Sequence, residues 1–396
     1  MALSEQDLQW MRRAIRLAKR GYPAPNPHVG AVVVTDGALV GEGFHPYKGA
    51  PHAEVFALQQ AGERARGATL YVTLEPCCHY GFTPPCTNAV REAGIVRVVV
   101  GMLDPNPEVN GKGVEQLREA GIQVDLLSPE VPAEAKLIDA LEAVNRIYLY
   151  WRRHNRPFIT LKAAMSLDGK IATHTGDSKW ITGTRARGVA HRLRAEHQAV
   201  LVGVETVIRD RPRLTARVRG VRNQPLRVIL DAQVRLFRWY WKPREMPILN
   251  TWRGLQQLPT IVFYKGLPYY PDGKQLHKRA RWLEELGVST EPIYSNPEDP
   301  YRVDVREVVN YLWHIWEVRS ILVEGGGQVA ASFLEARLAN RIAYFYAPKL
   351  IGGADARTAL EGLGVAEVAR APRVVNITYR KLGEDWLIEG DIQYPD

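Results

Sequence analysis

The sequence predicts a two-domain α/β protein, and three observations carry the prediction. The chain has 396 residues, more than one hydrophobic core usually supports, and its 46% hydrophobic content is enough to fill two. In both halves, short apolar runs of the strand type alternate with segments of helical periodicity. Between the halves lies a polar stretch, Arg152-Arg153-His154-Asn155-Arg156-Pro157, that closes on a proline. These features place a first domain at 1–148, a linker at 149–157 and a second domain at 158–396.

The first domain opens with a helix over 4–20: Ser4 can cap it, Leu8, Met11, Ile15 and Ala18 recur at helical spacing, and Gly21 stops it. Gly30–Thr35, Ala68–Thr73 and Val96–Gly101 are short continuous apolar runs, as expected of strands buried on both faces. Between them, 52–61 reads as a helix carrying His52 and Glu54 in its first turn, and 86–93 as a helix that starts at Cys86. Strands alternating with helices predict a mainly parallel or mixed sheet covered on both faces, with two helix starts converging at one sheet edge. A helix from Pro132 to about Tyr150 follows Gly121-Ile122-Gln123-Val124. The second domain reads as strands at Phe158–Lys162, Ala199–Gly203, Leu226–Asp231, Thr260–Tyr264 and Ser320–Glu324, with closing strands near 342–346, 373–379 and 386–393. Region 233–275, with Trp239-Tyr240-Trp241 and Tyr269-Tyr270, reads as irregular, and no internal repeat relates the halves.

Composition excludes several classes. No apolar run approaches the roughly 18 residues that span a bilayer, and Met-Ala-Leu-Ser-Glu-Gln-Asp lacks the basic and apolar regions of a signal peptide. All three cysteines fall within 77–86, which suits thiolate ligands in a reducing compartment, so a cytoplasmic protein is expected. The formal charge of +9 raises nucleic acid as a partner. The basic residues are spread through 185–253 and 265–281 with acids interleaved, however, and an anionic small metabolite accounts for the balance better.

The sharpest chemistry lies in Pro51-His52-Ala53-Glu54, Leu74-Glu75-Pro76-Cys77-Cys78-His79 and Thr83-Pro84-Pro85-Cys86. One imidazole and two thiolates leave the fourth tetrahedral position of zinc open, the mark of a catalytic site. His-x-Glu followed by Pro-Cys and a second cysteine is the signature of hydrolytic nucleobase deamination, with the glutamate as a proton carrier that does not bind the metal. Buried structural cysteines beside a core histidine would not predict glutamate and proline at these offsets. Eight residues separate Cys77 from Cys86, a spacing that favours free pyrimidines over polynucleotide editing. Either neighbouring thiol could ligate in principle, and the Pro-Cys register favours Cys77, leaving Cys78 as a small buried filler. In the second domain, Ile321-Leu322-Val323-Glu324 runs into Gly325-Gly326-Gly327 and a helix over 328–337, where backbone amides can approach a phosphate. Judged singly, Ser166-Leu167-Asp168-Gly169-Lys170 is an ordinary turn and Trp180 a core aromatic.

Taken together, these segments resemble the bifunctional riboflavin-biosynthesis deaminase/reductase family. The first domain carries Asn26-Pro27-His28-Val29-Gly30, the His52, Cys77 and Cys86 segments and Asp104-Pro105-Asn106-Pro107. The second carries Lys162 through Ala172, Ser178-Lys179-Trp180-Ile181-Thr182, Glu324-Gly325-Gly326 and Ala347 through Gly353. The resemblance implies a cytidine-deaminase-like three-layer αβα domain followed by a dihydrofolate-reductase-like α/β domain. It implies zinc-dependent deamination of 2,5-diamino-6-ribosylamino-4(3H)-pyrimidinone 5′-phosphate, then NADPH-dependent reduction of the ribosyl group to ribityl, in a homo-oligomer. It further implies zinc on His52, Cys77 and Cys86, with Glu54 moving protons, and deaminase substrate contacts from Asn26, His79, Asp104 and Asn106. Ala164, Trp180, Thr206, Asp210 and Gly326 would line the NADPH site. Ser178, Arg194, Leu214, Arg217 and Glu324 would contact the reductase substrate, the arginines through their planar forks.

Three positions depart from the family pattern. Phe82 stands where a base is usual in His-x-Gly-Arg/Lys-Thr, which leaves Lys48 or Lys112 to meet a phosphate. Arg211 stands in a segment that is usually Asp-Asp-Pro, and Asn340 where an aspartate is expected, so NADPH or substrate contacts could shift. Two other readings stay open at this point: a family member with one half weakened or specialised, and an RNA-directed zinc deaminase, against which the long cysteine spacing argues.

Overall fold

The computed structural model describes residues 3–81, 83–253, 256–266, 271–294 and 302–395. Phe82 and the Tyr269-Tyr270 pair therefore lie outside the described residues. The chain divides into two compact units, Met1–Arg156 with Gly220–Asn223, and Pro157–Arg219 with Gln224–Asp396.

The first unit begins with α1 (Glu5–Ala18), whose start is fixed by a capping box: Asp7 N–H donates to Ser4 Oγ (3.2 Å) and Ser4 N–H donates to Asp7 Oδ2 (3.0 Å). β1 (Gly30–Thr35) and β2 (Ala38–Phe44) form an antiparallel hairpin, followed by α2 (Ala53–Ala61), β3 (Thr69–Val72), α3 (Cys86–Glu92), β4 (Arg97–Val100), α4 (Lys112–Glu119), β5 (Gln123–Leu126) and α5 (Pro132–His154). The five strands make one mixed sheet in the order β2-β1-β3-β4-β5. Along β1, Ala31 and Val33 pack with α2, α3 and α4, while Val32 and Val34 pack with α1 and α5. The sheet is thus apolar on both faces and sandwiched between helices, the three-layer arrangement expected. The expected strands are present. β2 is an addition to them, because its glycines break the apolar run; they are there for α2, since a Cβ on Gly41 would sit 2.1 Å from Ala57 O.

The stretch that reads as a linker is mostly helix. α5 continues through Arg152-Arg153-His154 and ends at Asn155 in the left-handed conformation, φ 52°. Basic residues in the last turn complement the helix dipole, so polarity there marks a helix end and not an unstructured segment.

The second unit runs β6 (Phe158–Ser166), α6 (Thr184–Glu196), β7 (Ala199–Gly203), α7 (Val204–Asp210), β8 (Leu226–Leu230), a two-stranded ribbon of β9 (Trp252–Arg253) and β10 (Gln256–Gln257), then β11 (Thr260–Lys265), α8 (Pro271–Glu284), β12 (Ser289–Ile293), α9 (Val305–His314), β13 (Ser320–Val323), α10 (Gly327–Glu335), β14 (Arg341–Ala347), β15 (Arg373–Leu382) and β16 (Asp385–Gln393). Its nine-stranded sheet has the order β12-β11-β8-β7-β13-β6-β14-β16-β15, parallel through β14 and antiparallel at the β14-β16-β15 end. One core packs α6, α7 and α8 on one face, and another packs α9 and α10 on the opposite face. Parallel β13 and β6 end together, which brings Glu324 beside Lys162. Among the described residues, no helix is long and apolar enough to cross a membrane.

Candidate active sites

The metal-ligand set is assembled by three local structures. His52 is the N-cap of α2, held extended (φ −75°, ψ 166°), so its ring leaves the helix at its start. Cys77 lies in the loop after β3, and Cys86 is the first residue of α3. Backbone donors fix the loop against that helix: Cys86 N–H donates to Cys77 Sγ (3.3 Å) and Thr87 N–H to Cys77 O (3.2 Å). His52 Nδ1 lies 3.2 Å from Cys86 Sγ and 3.5 Å from Cys77 Sγ, and the three ligand atoms all fall within 4.8 Å of one another. Zn–S bonds of about 2.3 Å and Zn–N bonds of about 2.0–2.1 Å require donor–donor edges of roughly 3.5–3.8 Å. The donor set fits zinc in type and spacing. Hydrogen bonding from Cys86, with help from His52, holds the Cys77 thiol down at about 4, and the same contact together with burial pushes Cys86 up.

Glu54, in the first turn of α2, is 3% exposed, and its Oε2 is buried without a hydrogen-bond partner. Burial pushes its carboxyl above the ordinary range. It projects beside the ligand set from the helix that His52 caps, and is not one of the clustered ligand atoms. Cys78 is half-buried and directs its thiol to Glu108 O at 3.6 Å, so it is no buried filler, and it is not among the clustered ligand atoms.

The ligand set opens into a cleft of about 330 Å³, a size that suits a nucleotide-like ligand. Asn26, His79, Asp104 and Asn106 all line it. Asp104 accepts from Tyr148 Oη (2.7 Å) and from Asn106 N–H (2.9 Å), and burial raises its pKa. Two residues to which the sequence motifs assign no role hold this wall. Glu75 is buried and accepts N–H groups from Asp104, Gly111, Gly113 and Val114 at 2.9–3.2 Å, pinning the 104–114 segment. His45, kept neutral by burial with its pKa lowered to about 4, donates from Nδ1 to Pro51 O (3.1 Å) and accepts from Asn26 Nδ2 at Nε2 (3.1 Å). The position of Glu75 inside Leu-Glu-Pro-Cys is the available signal; for His45 there is none, because its contacts with Asn26 and Pro51 are made only in the fold. The last turns of α5 also line the cleft through Tyr148, Trp151 and Arg152.

The second unit holds a cleft of about 480 Å³ whose lining includes all ten residues the resemblance assigned there: Ala164, Ser178, Trp180, Arg194, Thr206, Asp210, Leu214, Arg217, Glu324 and Gly326. At its floor, Arg194 grips Glu324 with two parallel bonds (Nε–Oε1 2.7 Å, Nη2–Oε2 2.8 Å), and Lys162 Nζ approaches Oε2 at 3.4 Å. Burial opposes ionisation, yet Arg194 and Lys162 hold Glu324 well below the usual carboxylate range. The fork of Arg194 is therefore committed to Glu324, so Arg194 faces the cleft as half of an ion pair. Ser178 Oγ donates to Asp210 Oδ1 (2.9 Å). Trp180 is 64% exposed under the guanidinium of Arg187 (4.5 Å), so it is a cleft aromatic and not a core one. Gly326 is the N-cap of α10, and a Cβ there would meet nothing within 4 Å, whereas one on Gly325 would press on Val329 and one on Gly327 on Thr358 O. The helix start thus presents open backbone where a cofactor phosphate can approach, and with the exposed Trp180 ring it fits a dinucleotide. Arg211 lines this cleft as the left-handed C-cap of α7. Asn340 does not line it; its Oδ1 and N–H pair with Ile159 across β6 and β14, which accounts for the residue structurally.

Comparison with known proteins agrees with this division. Residues 4–102 match the family model of the cytidine and deoxycytidylate deaminase zinc-binding region, and residues 157–388 match the RibD C-terminal domain. The chain is 43% identical to the riboflavin biosynthesis protein RibD of Aquifex aeolicus over 388 residues, covering 98% of each. It is 36% identical to the protein of the same name from Escherichia coli, covering 96% of this chain and 98% of that one. Among solved structures, Acinetobacter baumannii RibD superposes with a TM-score of 0.78 at 37% identity, covering 98% of this chain and 99% of that one. A diaminohydroxyphosphoribosylaminopyrimidine deaminase/5-amino-6-(5-phosphoribosylamino)uracil reductase from Thermotoga maritima gives 0.74 at 36% identity with the same coverage.

Proposed function

Because the chain belongs to the RibD family, the bifunctional deaminase/reductases of riboflavin biosynthesis, we propose that its two clefts act in succession on one phosphorylated pyrimidine. The first cleft deaminates 2,5-diamino-6-ribosylamino-4(3H)-pyrimidinone 5′-phosphate, and the second reduces the ribosyl group of the product to ribityl. The deaminase uses zinc and the reductase NADPH. We assign 1–148 to the deaminase domain, 149–157 to the connection and 158–396 to the reductase domain.

The observation that carries the reading is a trio of nitrogen and sulfur ligands within 4.8 Å beside a buried carboxylate with an unpartnered oxygen. Zinc, when bound, lowers the pKa of a coordinated water to roughly 7. His52, Cys77 and Cys86 would hold the ion, and Glu54 takes up a proton at Oε2 and delivers it to the leaving amine. Asn26, His79, Asp104 and Asn106 orient the pyrimidine ribotide. In the second cleft, NADPH supplies the hydride. Ala164, Trp180, Thr206, Asp210 and the Gly326 turn seat the cofactor, while Ser178, Leu214, Arg217 and the Glu324–Arg194 pair face the substrate.

The test incubates the full chain with the diaminopyrimidine ribotide, with and without NADPH, and resolves the products by mass. Amine-to-carbonyl exchange is expected without NADPH, followed by addition of two hydrogens only when NADPH is present. Unchanged substrate in the zinc-loaded protein would refute the reading.

We place the enzyme in the cytoplasm as a small-metabolite enzyme that takes no polynucleotide, supported by three unpaired cysteines and dispersed basic residues. We also propose a homo-oligomer. Leu363 (96%), Val368 (92%) and Leu350 (78%) are exposed apolar side chains of the second unit. Sedimentation at micromolar concentration is expected to give a mass above that of one chain; a single-chain mass would reject this.

A further inference from the structure

The deaminase cleft holds a cation that no motif announced. Phe82, in the position where the family has a base, offers no charge to a phosphate. Of the two lysines that could replace it, Lys112 donates its Nζ to Pro107 O (2.9 Å) and does not line the cleft, whereas Lys48 does line it. Arg152 lines it as well, from the last turn of α5.

Three features set Arg152 apart. Its guanidinium lies 4.2 Å from the Trp151 ring and 5.6 Å from that of Tyr148, whose side chain is also within its hydrogen-bonding reach, an aromatic seat that orients the fork. Its Nε is buried and has no acceptor, and among the described residues no carboxylate forms an ion pair with it. The carboxylate whose charge it feels, Asp104, is already committed to Tyr148 Oη and Asn106 N–H. A buried donor without an acceptor is costly unless a ligand completes it. Arg194 in the other cleft shows the contrast, its fork being filled by Glu324.

We propose that Arg152 is the phosphate-binding residue of the deaminase cleft and takes the place of the base missing at position 82. The inference rests on the deaminase reading and adds to it the residue that makes the enzyme select a 5′-phosphate over the free riboside. The cation reaches the cleft from α5, not from the cysteine loop. An arginine fork presents two donors to phosphate oxygens where a lysine presents a point charge.

The experiment compares kcat/KM for the 5′-phosphate and for its dephosphorylated riboside in zinc-loaded, full-length wild type, Arg152→Met and Arg152→Lys. Methionine keeps the unbranched stem against Trp151 and removes the charge. Arg152→Met is expected to lower the preference for the phosphate roughly 10- to 100-fold, the range of a lost charge-assisted hydrogen bond. Most of the loss should fall in KM, the riboside should lose far less, and Arg152→Lys should recover part of the preference. Zinc content and NADPH oxidation with the pre-deaminated substrate serve as controls of folding. An equal loss for both substrates would make Arg152 a packing residue, and an unchanged preference would assign the phosphate elsewhere; either overturns the proposal while the deaminase reading stands. No wild-type turnover of either substrate would remove that reading and this inference with it.

Discussion

Glu54→Gln is expected to lower ammonia release by roughly 10²–10⁴-fold while zinc content stays at the wild-type level. Glutamine matches glutamate in shape, so the packing of a side chain that is 3% exposed is preserved. What it cannot do is accept a proton and hand it on. The buried Oε2 has no partner in the protein, which is the condition of an oxygen whose partner is the reacting system. His52, Cys77 and Cys86 make up the ligand cluster without Glu54, so the metal should remain. The check is parallel measurement of ammonia, bound zinc and NADPH oxidation with pre-deaminated substrate. The assigned role fails if ammonia release stays within a few-fold of wild type, and loss of zinc would instead make Glu54 part of the metal site.

A second large effect is expected in the reductase half, from Glu324→Gln. The substitution removes the negative partner that, among the described residues, Arg194 and Lys162 share at the cleft floor, where the three side chains are 6–15% exposed. Leaving buried cations uncompensated costs about 3–5 kcal/mol in comparable pairs. NADPH oxidation should therefore be lost together with stability of the second unit, while ammonia release by the first continues. The pH dependence has a definite sign. The folded-state pKa of Glu324 is depressed, so its stabilising contribution is fully present above the unfolded carboxylate value, about 4.3, and is lost as pH falls through that value toward the lower folded one. Wild type should show this acid limb in thermal unfolding of the second unit, and Glu324→Gln should flatten it. Wild-type stability and an unchanged acid limb in the variant would show that the pair does not anchor the cleft.

The zinc ligands and Glu54 are legible in the amino-acid sequence because their chemistry is local. His-x-Glu at a helix start and Pro-Cys in the loop before another fix both residue type and backbone geometry within a few positions, and His52, Glu54 and Cys77 line the cleft. Strands β1, β7 and β11 stand out for a similar reason, since burial on both faces makes a run continuously apolar. β2 does not stand out, because its glycines answer to the backbone of α2, which is remote in sequence. Arg152 is hidden for a different reason. A basic, polar helix end and a basic, polar linker have the same composition, and only the course of α5 distinguishes them.

The chain's spacing and residue types are thus enough to specify two α/β units, a zinc chemistry and a glycine-rich strand-to-helix turn, because each depends on neighbours within a turn or a strand. Which charges are free and which are consumed depends on folding. Arg194 and Arg152 are alike as residues, yet one closes on Glu324 across 130 positions and the other rests on Trp151 with no acceptor at its Nε. Pairing of that kind is set by which strand and helix ends the sheet brings together, and electrostatic partnership is a property of distance in space.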